Sequence, residues 1–298
     1  MSQTITPSQL EKGLSPRERI LTPLDEESNR LGEFIQETLA MTGRLFIQLK
    51  RRPSTLMAGI IQPFMWLILF GALFYNAPQG MFGGDLNYAK FLAPGIIVFT
   101  AFSGALNAGL PVMFDREFGF LNRLLVAPLA SRYSIVAAST LYIIALSVIQ
   151  TAVIVGASAL LGAGFPNIAG LGAIALIVFL IVLGVTGLSL GLAFALPGHI
   201  ELIAVIFVTN LPLLFASTAL APLSFMAKWL QIVASLNPLT YAIEPIRYIY
   251  LKGHWSLGSV ILDTPWTAIN FASVLLILLA FDVLILVAIQ PLLRRRFA

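Results

Sequence analysis

From Tyr133 to Gly198 the chain carries no Lys, Arg, Asp or Glu. A stretch this long without charge is hard to hide in water, and it exceeds one bilayer crossing of about 20 apolar residues. The cluster Gly162-Ala163-Gly164-Phe165-Pro166-Asn167 divides it into two. The rest of the chain is of the same kind. Hydrophobic residues make up 58% and charged ones 11%, with mean hydropathy +0.90, where soluble domains carry about 25% charge. With a bilayer as second solvent, backbone groups must pair within each segment, so helices are expected. The fold class is an all-α integral membrane protein with six spans, at about residues 55–75, 91–114, 133–161, 168–196, 202–222 and 267–291.

Lys and Arg orient these spans. Fourteen lie in the N-terminal segment, the loop after span two and the C-terminal tail, against four (Lys90, Lys228, Arg247 and Lys252) in the other loops. The positive-inside rule therefore makes both termini cytoplasmic. The basic residues gather at the edges of apolar runs, which is membrane topology and gives no nucleic-acid surface. Residues 1–30 are polar and mixed in sign, with no apolar core of a signal peptide. They are expected to be a disordered cytoplasmic tail ahead of a six-span transmembrane unit at 31–298.

Three further segments have helical patterns without being spans. In Leu31–Arg52 one side holds Phe34 and Phe46, and the other holds Arg44 and Arg51. That pattern suits an amphipathic helix in the cytoplasmic interface, in contact with membrane lipids. After span two comes Arg116-Glu117-Phe118-Gly119-Phe120-Leu121-Asn122-Arg123-Leu124-Leu125-Val126-Ala127-Pro128. Phe118, Leu121 and Leu125 make a narrow apolar face beside Arg116, Glu117 and Arg123, and Pro128 ends the helix. Composition leaves two readings for it: a ridge that docks on another protein, or a helix resting on lipid headgroups. Between spans five and six, Ser224–Ala234 reads as a short helix, and Asn237-Pro238 starts a second one that carries Tyr241, Glu244 and Arg247 and closes at Gly253. Beside a membrane such a pair can re-enter the bilayer where protein covers its ends. Glu244 and Arg247 are spaced to pair with each other.

Several chemistries are excluded. The chain lacks cysteine and has no G-x-x-x-x-G-K-[ST] phosphate loop. Its two histidines, His199 and His254, are far apart in sequence. No catalytic centre, metal site or cofactor of its own is expected. Within the spans only Asp282 is formally charged, a functional candidate because burying it is costly. It is either a proton-coupling site or a structural residue hydrogen-bonded to a neighbouring span. Ser103, Asn107, Thr209, Asn210 and Ser217, with Gln62 and Gln150, either glue helices or line a path. Gly184, Gly187 and Gly191, with Ser189, read as a close-packing face.

In order and placement these features resemble the type-2 ABC exporter permeases, over about residues 31–295. The sharpest local matches are the 116–128 segment, similar to that family's coupling helix with Gly119-Phe120-Leu121 where Gly-Thr-Leu is usual, and Leu236–Glu244, similar to its extracellular helix motif. The resemblance implies a non-enzymatic transport subunit working as two copies on two copies of a separate ATPase that holds ATP and Mg. Phe118, Leu121 and Arg123 would seat in that ATPase, and their motion would pass to spans two and five. A hydrophobic or lipid-like cargo suits the apolar spans. The host membrane would be a plasma (inner) membrane or an internal membrane of a prokaryote or plastid. The alternative from residues alone is an ion-coupled secondary transporter using Asp282.

Overall fold

The computed structural model describes residues 23–74, 88–120, 131, 133–253 and 255–297. Ten helices are described: α1 (Pro23–Arg51), α2 (Pro53–Leu73), α3 (Tyr88–Leu106), α4 (Gly109–Glu117), α5 (Tyr133–Ser158), α6 (Ile168–Ala195), α7 (His199–Phe215), α8 (Lys228–Leu236), α9 (Pro238–Lys252) and α10 (Phe271–Phe297). Before α10, the short strands β1 (Val260–Asp263) and β2 (Ala268–Asn270) pair antiparallel, Leu262 opposite Ile269. Five stretches are long and apolar enough to cross a bilayer: Leu56–Leu73, Lys90–Glu117, Tyr133–Ala163, Ile168–Ala195 and Phe271–Leu292. Helix α7 is apolar but has 17 residues. At 1.5 Å per residue that falls a little short of the roughly 30 Å hydrocarbon core.

Helix α3 is the centre of the bundle. It packs on α2, α5, α6 and α9, and Leu92, Ile96, Ile97, Val98, Ala101 and Ala105 are fully buried. A helix apolar on every side can be covered on every side. The most extensive interface joins α6 to α10, and there the expected glycine face is found. A Cβ on Gly191 would meet Ile289 Cγ2 at 2.5 Å and one on Gly187 would meet Ile285 at 3.2 Å, while Gly184 opens the notch that takes Asp282. Lipid is as apolar as the helices, so this backbone approach, and not water exclusion, holds the pair together.

Local signals set most helix ends. Gly162 and Gly164 have positive φ, and the Asn167 side chain accepts from the Gly170 N–H at 2.6 Å, which divides the uncharged run where the breaker cluster lies. Asn237 Oδ1 accepts from Leu239 N–H at 3.0 Å to start α9, and Gly253 closes it at φ 67.

Four boundaries depart from expectation. Helix α1 begins at Pro23, so residues 23–30 of the expected disordered tail are helical; Pro is favoured at the first helical position. Where span five (202–222) was expected, the helix covers 199–215, because a turn stabilised by Ser217, whose hydroxyl donates to Leu214 C=O, follows Phe215. Span six begins at Phe271 rather than 267, since the strand pair intervenes and Asn270 Oδ1 accepts from Ser273 N–H. The first short outer helix is displaced to 228–236, after a single 3₁₀ turn at Leu223–Phe225.

Candidate functional site at the end of the second span

The second span is broken. Helix α3 stops at Leu106 and α4 starts at Gly109, with Asn107 and Ala108 in a turn. Pro111 is the cause: it supplies no N–H to the Asn107 carbonyl four residues back, and its ring crowds that carbonyl. The backbone groups at the break are satisfied from α6. The Ser189 hydroxyl donates to Leu106 C=O at 2.6 Å and accepts from Gly109 N–H at 2.9 Å. Ser189 therefore bridges the break as well as belonging to the close-packing face.

Helix α4 ends in three consecutive charged residues, and each holds a different helix. Asp115 accepts from Arg44 of α1, both oxygens at 3.3 Å, and the Arg44 guanidinium lies 4.1 Å over the Phe120 ring. Arg116 donates to the carbonyls of Ala193 (2.7 Å), Leu196 and Pro197 (both 2.6 Å), where a cation complements the C-terminal end of the α6 dipole. Glu117 accepts from His199 N–H at 2.6 Å and meets its ring Nδ1 at 2.5 Å. That places an anion on the N-terminus of α7. Gly198 makes room, since a Cβ there would meet Glu117 Oε1 at 2.7 Å. Phe118 follows, 77% exposed, and Gly119 turns the chain at φ 76.

This arrangement corrects part of the sequence reading. Arg116 and Glu117 stand in the last turn of the span-two helix and bond within the chain; they do not open a separate helix. The expected docking residues Leu121, Arg123 and Leu125 lie outside the described residues. Helix α1, expected to lie in the interface, keeps Phe46 on the bundle, edge-to-face with Tyr142 at 5.2 Å, with Phe34 half-buried and Arg51 exposed.

At the opposite end of the bundle Arg247 is 4% exposed. It pairs with Glu244 as the spacing indicated, donates to Thr218 C=O at 2.5 Å and Phe91 C=O at 3.3 Å, and lies 3.8 Å over the Phe91 ring. Asn237 donates to Leu213 C=O and Ala216 C=O, tying the α7 terminus to α9, and the Tyr241 hydroxyl donates to Ser235 C=O.

Among the proposed path residues, Ser103 and Asn107 do line a cleft of about 380 Å³ between α2, α3 and α5, with Gln62 and Gln150. Asn210 reaches this region by donating to Ser103 Oγ at 3.1 Å. Thr209 is half-buried on α7 and outside the cleft. Ser217 is used in its turn and is outside this cleft. Asp282 is 2% exposed, its carboxyl set in the notch at Gly184 of α6, the neighbouring span. No group of three or more His, Cys, Asp or Glu that could hold a metal occurs among the described residues.

Residues 36–251 match the family model described as ABC-2 type transporter. The chain belongs to the ABC-2 type transporter permeases. This permease is 56% identical to the transport permease ycf38 of Porphyra purpurea, over 85% of its own length and 87% of the relative's. It is 55% identical to that of Cyanophora paradoxa, over 84% and 86%. More distantly, it is 26% identical to the doxorubicin resistance ABC transporter permease DrrC of Mycobacterium tuberculosis, over 83% and 88%. The matched region of the permease includes the break, the charged triplet and the Arg247 cluster.

Proposed function

We propose that this permease is the membrane subunit of an ATP-driven exporter. Six crossings, with α7 and the turn after it as the fifth, leave both termini cytoplasmic. Two copies act with two copies of a separate ATPase that binds ATP and Mg, and a hydrophobic or lipid-like cargo is moved. The observation that carries this reading is the triplet Asp115, Arg116 and Glu117, bonded to α1, α6 and α7 immediately before exposed Phe118. A force applied by a partner to the segment 118–132 reaches three helices at once through charge-assisted bonds, which are the strong ones. Membership in a family with a drug-resistance permease supports the same reading.

The test is co-purification. Phe118→Ala with Leu121→Ala is expected to release the ATPase subunit while the chain still inserts and folds; unchanged recovery of the ATPase with the double variant counts against the docking role. The purified chain alone is expected to hydrolyse no ATP.

A second reading has one observation in its favour, the buried carboxyl of Asp282 within a span. As an ion-coupled transporter the protein would need no ATPase and would stop when Asp282→Asn removes the acid. Persisting ATP-driven transport by that variant excludes it.

A further inference from the structure

The cleft against the break in span two has a composition that selects its occupant. Gln62 comes from α2, Thr100 and Ser103 from α3, Asn107 from the break, and Tyr142 and Gln150 from α5; aliphatic and aromatic side chains make up the rest. Among the described residues no Asp, Glu, Lys, Arg or His lines it. Its volume of about 380 Å³ suits a small ligand or one end of a larger one.

Three of these six polar side chains are already engaged. The Thr100 hydroxyl donates to Ile96 C=O, Asn107 Nδ2 to Ser103 C=O, and Ser103 Oγ accepts from Asn210. Gln150 is different. It is 3% exposed, and its carboxamide fits between α2 and α3 because Gly59 and Gly104 have no side chain to collide with it. Its Oε1 has no donor among the described residues. A glutamine serving only as glue between helices would have that oxygen satisfied. Across the cleft Gln62 is exposed, so a second carboxamide stands at the opening.

We propose that the cleft binds an uncharged amphiphile, an apolar body bearing a hydroxyl or amide N–H that donates to Gln150 Oε1 and is met by Gln62. An ionised group would enter a low-dielectric site with no countercharge, so anionic lipids and cationic drugs are disfavoured there. That this amphiphile is the transported cargo rests on the exporter reading; that the cleft binds it does not.

The experiment uses the full chain in lipid nanodiscs, a diacylglycerol with a photoactivatable acyl chain, and a phosphatidate of the same chains. Diacylglycerol is expected to crosslink peptides from 53–73, 88–111 and 133–158, in competition with the unmodified lipid, and phosphatidate to label them at least tenfold less. Gln150→Met and Gln62→Leu are each expected to reduce diacylglycerol labelling at least about fivefold. Gln62 is exposed, so its variant keeps the fold even if the Gln150 variant does not. Equal labelling by phosphatidate overturns the uncharged class, and labelling within twofold of the parent in either variant overturns the site. No nucleotide or ATPase takes part. A chain that labels as expected but recruits no ATPase therefore keeps the site and loses the exporter reading.

Discussion

Glu117 holds His199 twice, one carboxylate oxygen accepting from the backbone N–H at 2.6 Å and the other meeting ring Nδ1 at 2.5 Å. The two residues are 82 positions apart, so the end of the second span and the start of α7 are joined directly.

Under the exporter reading this joint transmits motion and does not recruit the partner. Glu117→Ala is expected to leave the ATPase bound while transport falls severalfold relative to ATP hydrolysis. His199→Ala is expected to have a milder effect, because its backbone N–H still reaches Glu117. Proteoliposome transport measured alongside ATPase activity separates the two; a loss of ATPase binding in Glu117→Ala would assign the residue to docking.

The break in span two depends on one hydroxyl. Ser189→Ala leaves Leu106 C=O and Gly109 N–H without their partner at a point where lipid offers none. A loss of about 1–3 kcal/mol is expected. Unfolding midpoints in mixed detergent and SDS read it, and a value within about 0.5 kcal/mol of the parent would mean that the break is satisfied in another way.

Close packing of α6 on α10 makes a second stability prediction. Gly191→Ala drives a methyl into Ile289 and is expected to cost about 1–3 kcal/mol. Shortening Ile289 to Ala in that background should recover part of the loss. A double-mutant cycle is expected to give a coupling of about 1 kcal/mol, and a coupling near zero would show that the helices separate to relieve the contact.

Arg247 is the fourth test. Arg247→Ala strands the mostly buried Glu244 carboxylate and removes the bonds to the Thr218 and Phe91 carbonyls, an expected cost of about 3–5 kcal/mol. Replacing both partners, Arg247→Met with Glu244→Gln, is expected to cost clearly less than the single change, as read from thermal stability of the purified chain. Equal losses would put the weight on the carbonyl bonds and not on the pair.

Much of the architecture was legible beforehand because its causes are local. Asn167 and Asn237 cap helices wherever their neighbours fold, and Gly253 closes α9 through its own φ. The Glu244–Arg247 pair follows from spacing on one helix. The strand pair before α10 was missed, since three or four residues such as Ala268–Asn270 carry no periodicity. The break in span two was missed as well, since 91–114 reads as one apolar run, and nothing near Pro111 in sequence indicated that Ser189 would satisfy the freed groups.

By itself the sequence determined which segments leave water, where most of them start and stop, and that they carry no phosphate loop or cysteine chemistry. These depend on hydropathy, charge and capping, which are summed along a few neighbouring residues. The tertiary structure alone decided how the polar groups are used. Asp115 and Arg44 lie 71 residues apart, and Glu117 and His199 82 apart. Gln150 keeps an unmet acceptor while Ser217, as polar on paper, is used up in a turn. A hydrogen bond forms or fails on distances of a few tenths of an ångström through space, and no pattern along the chain encodes those distances.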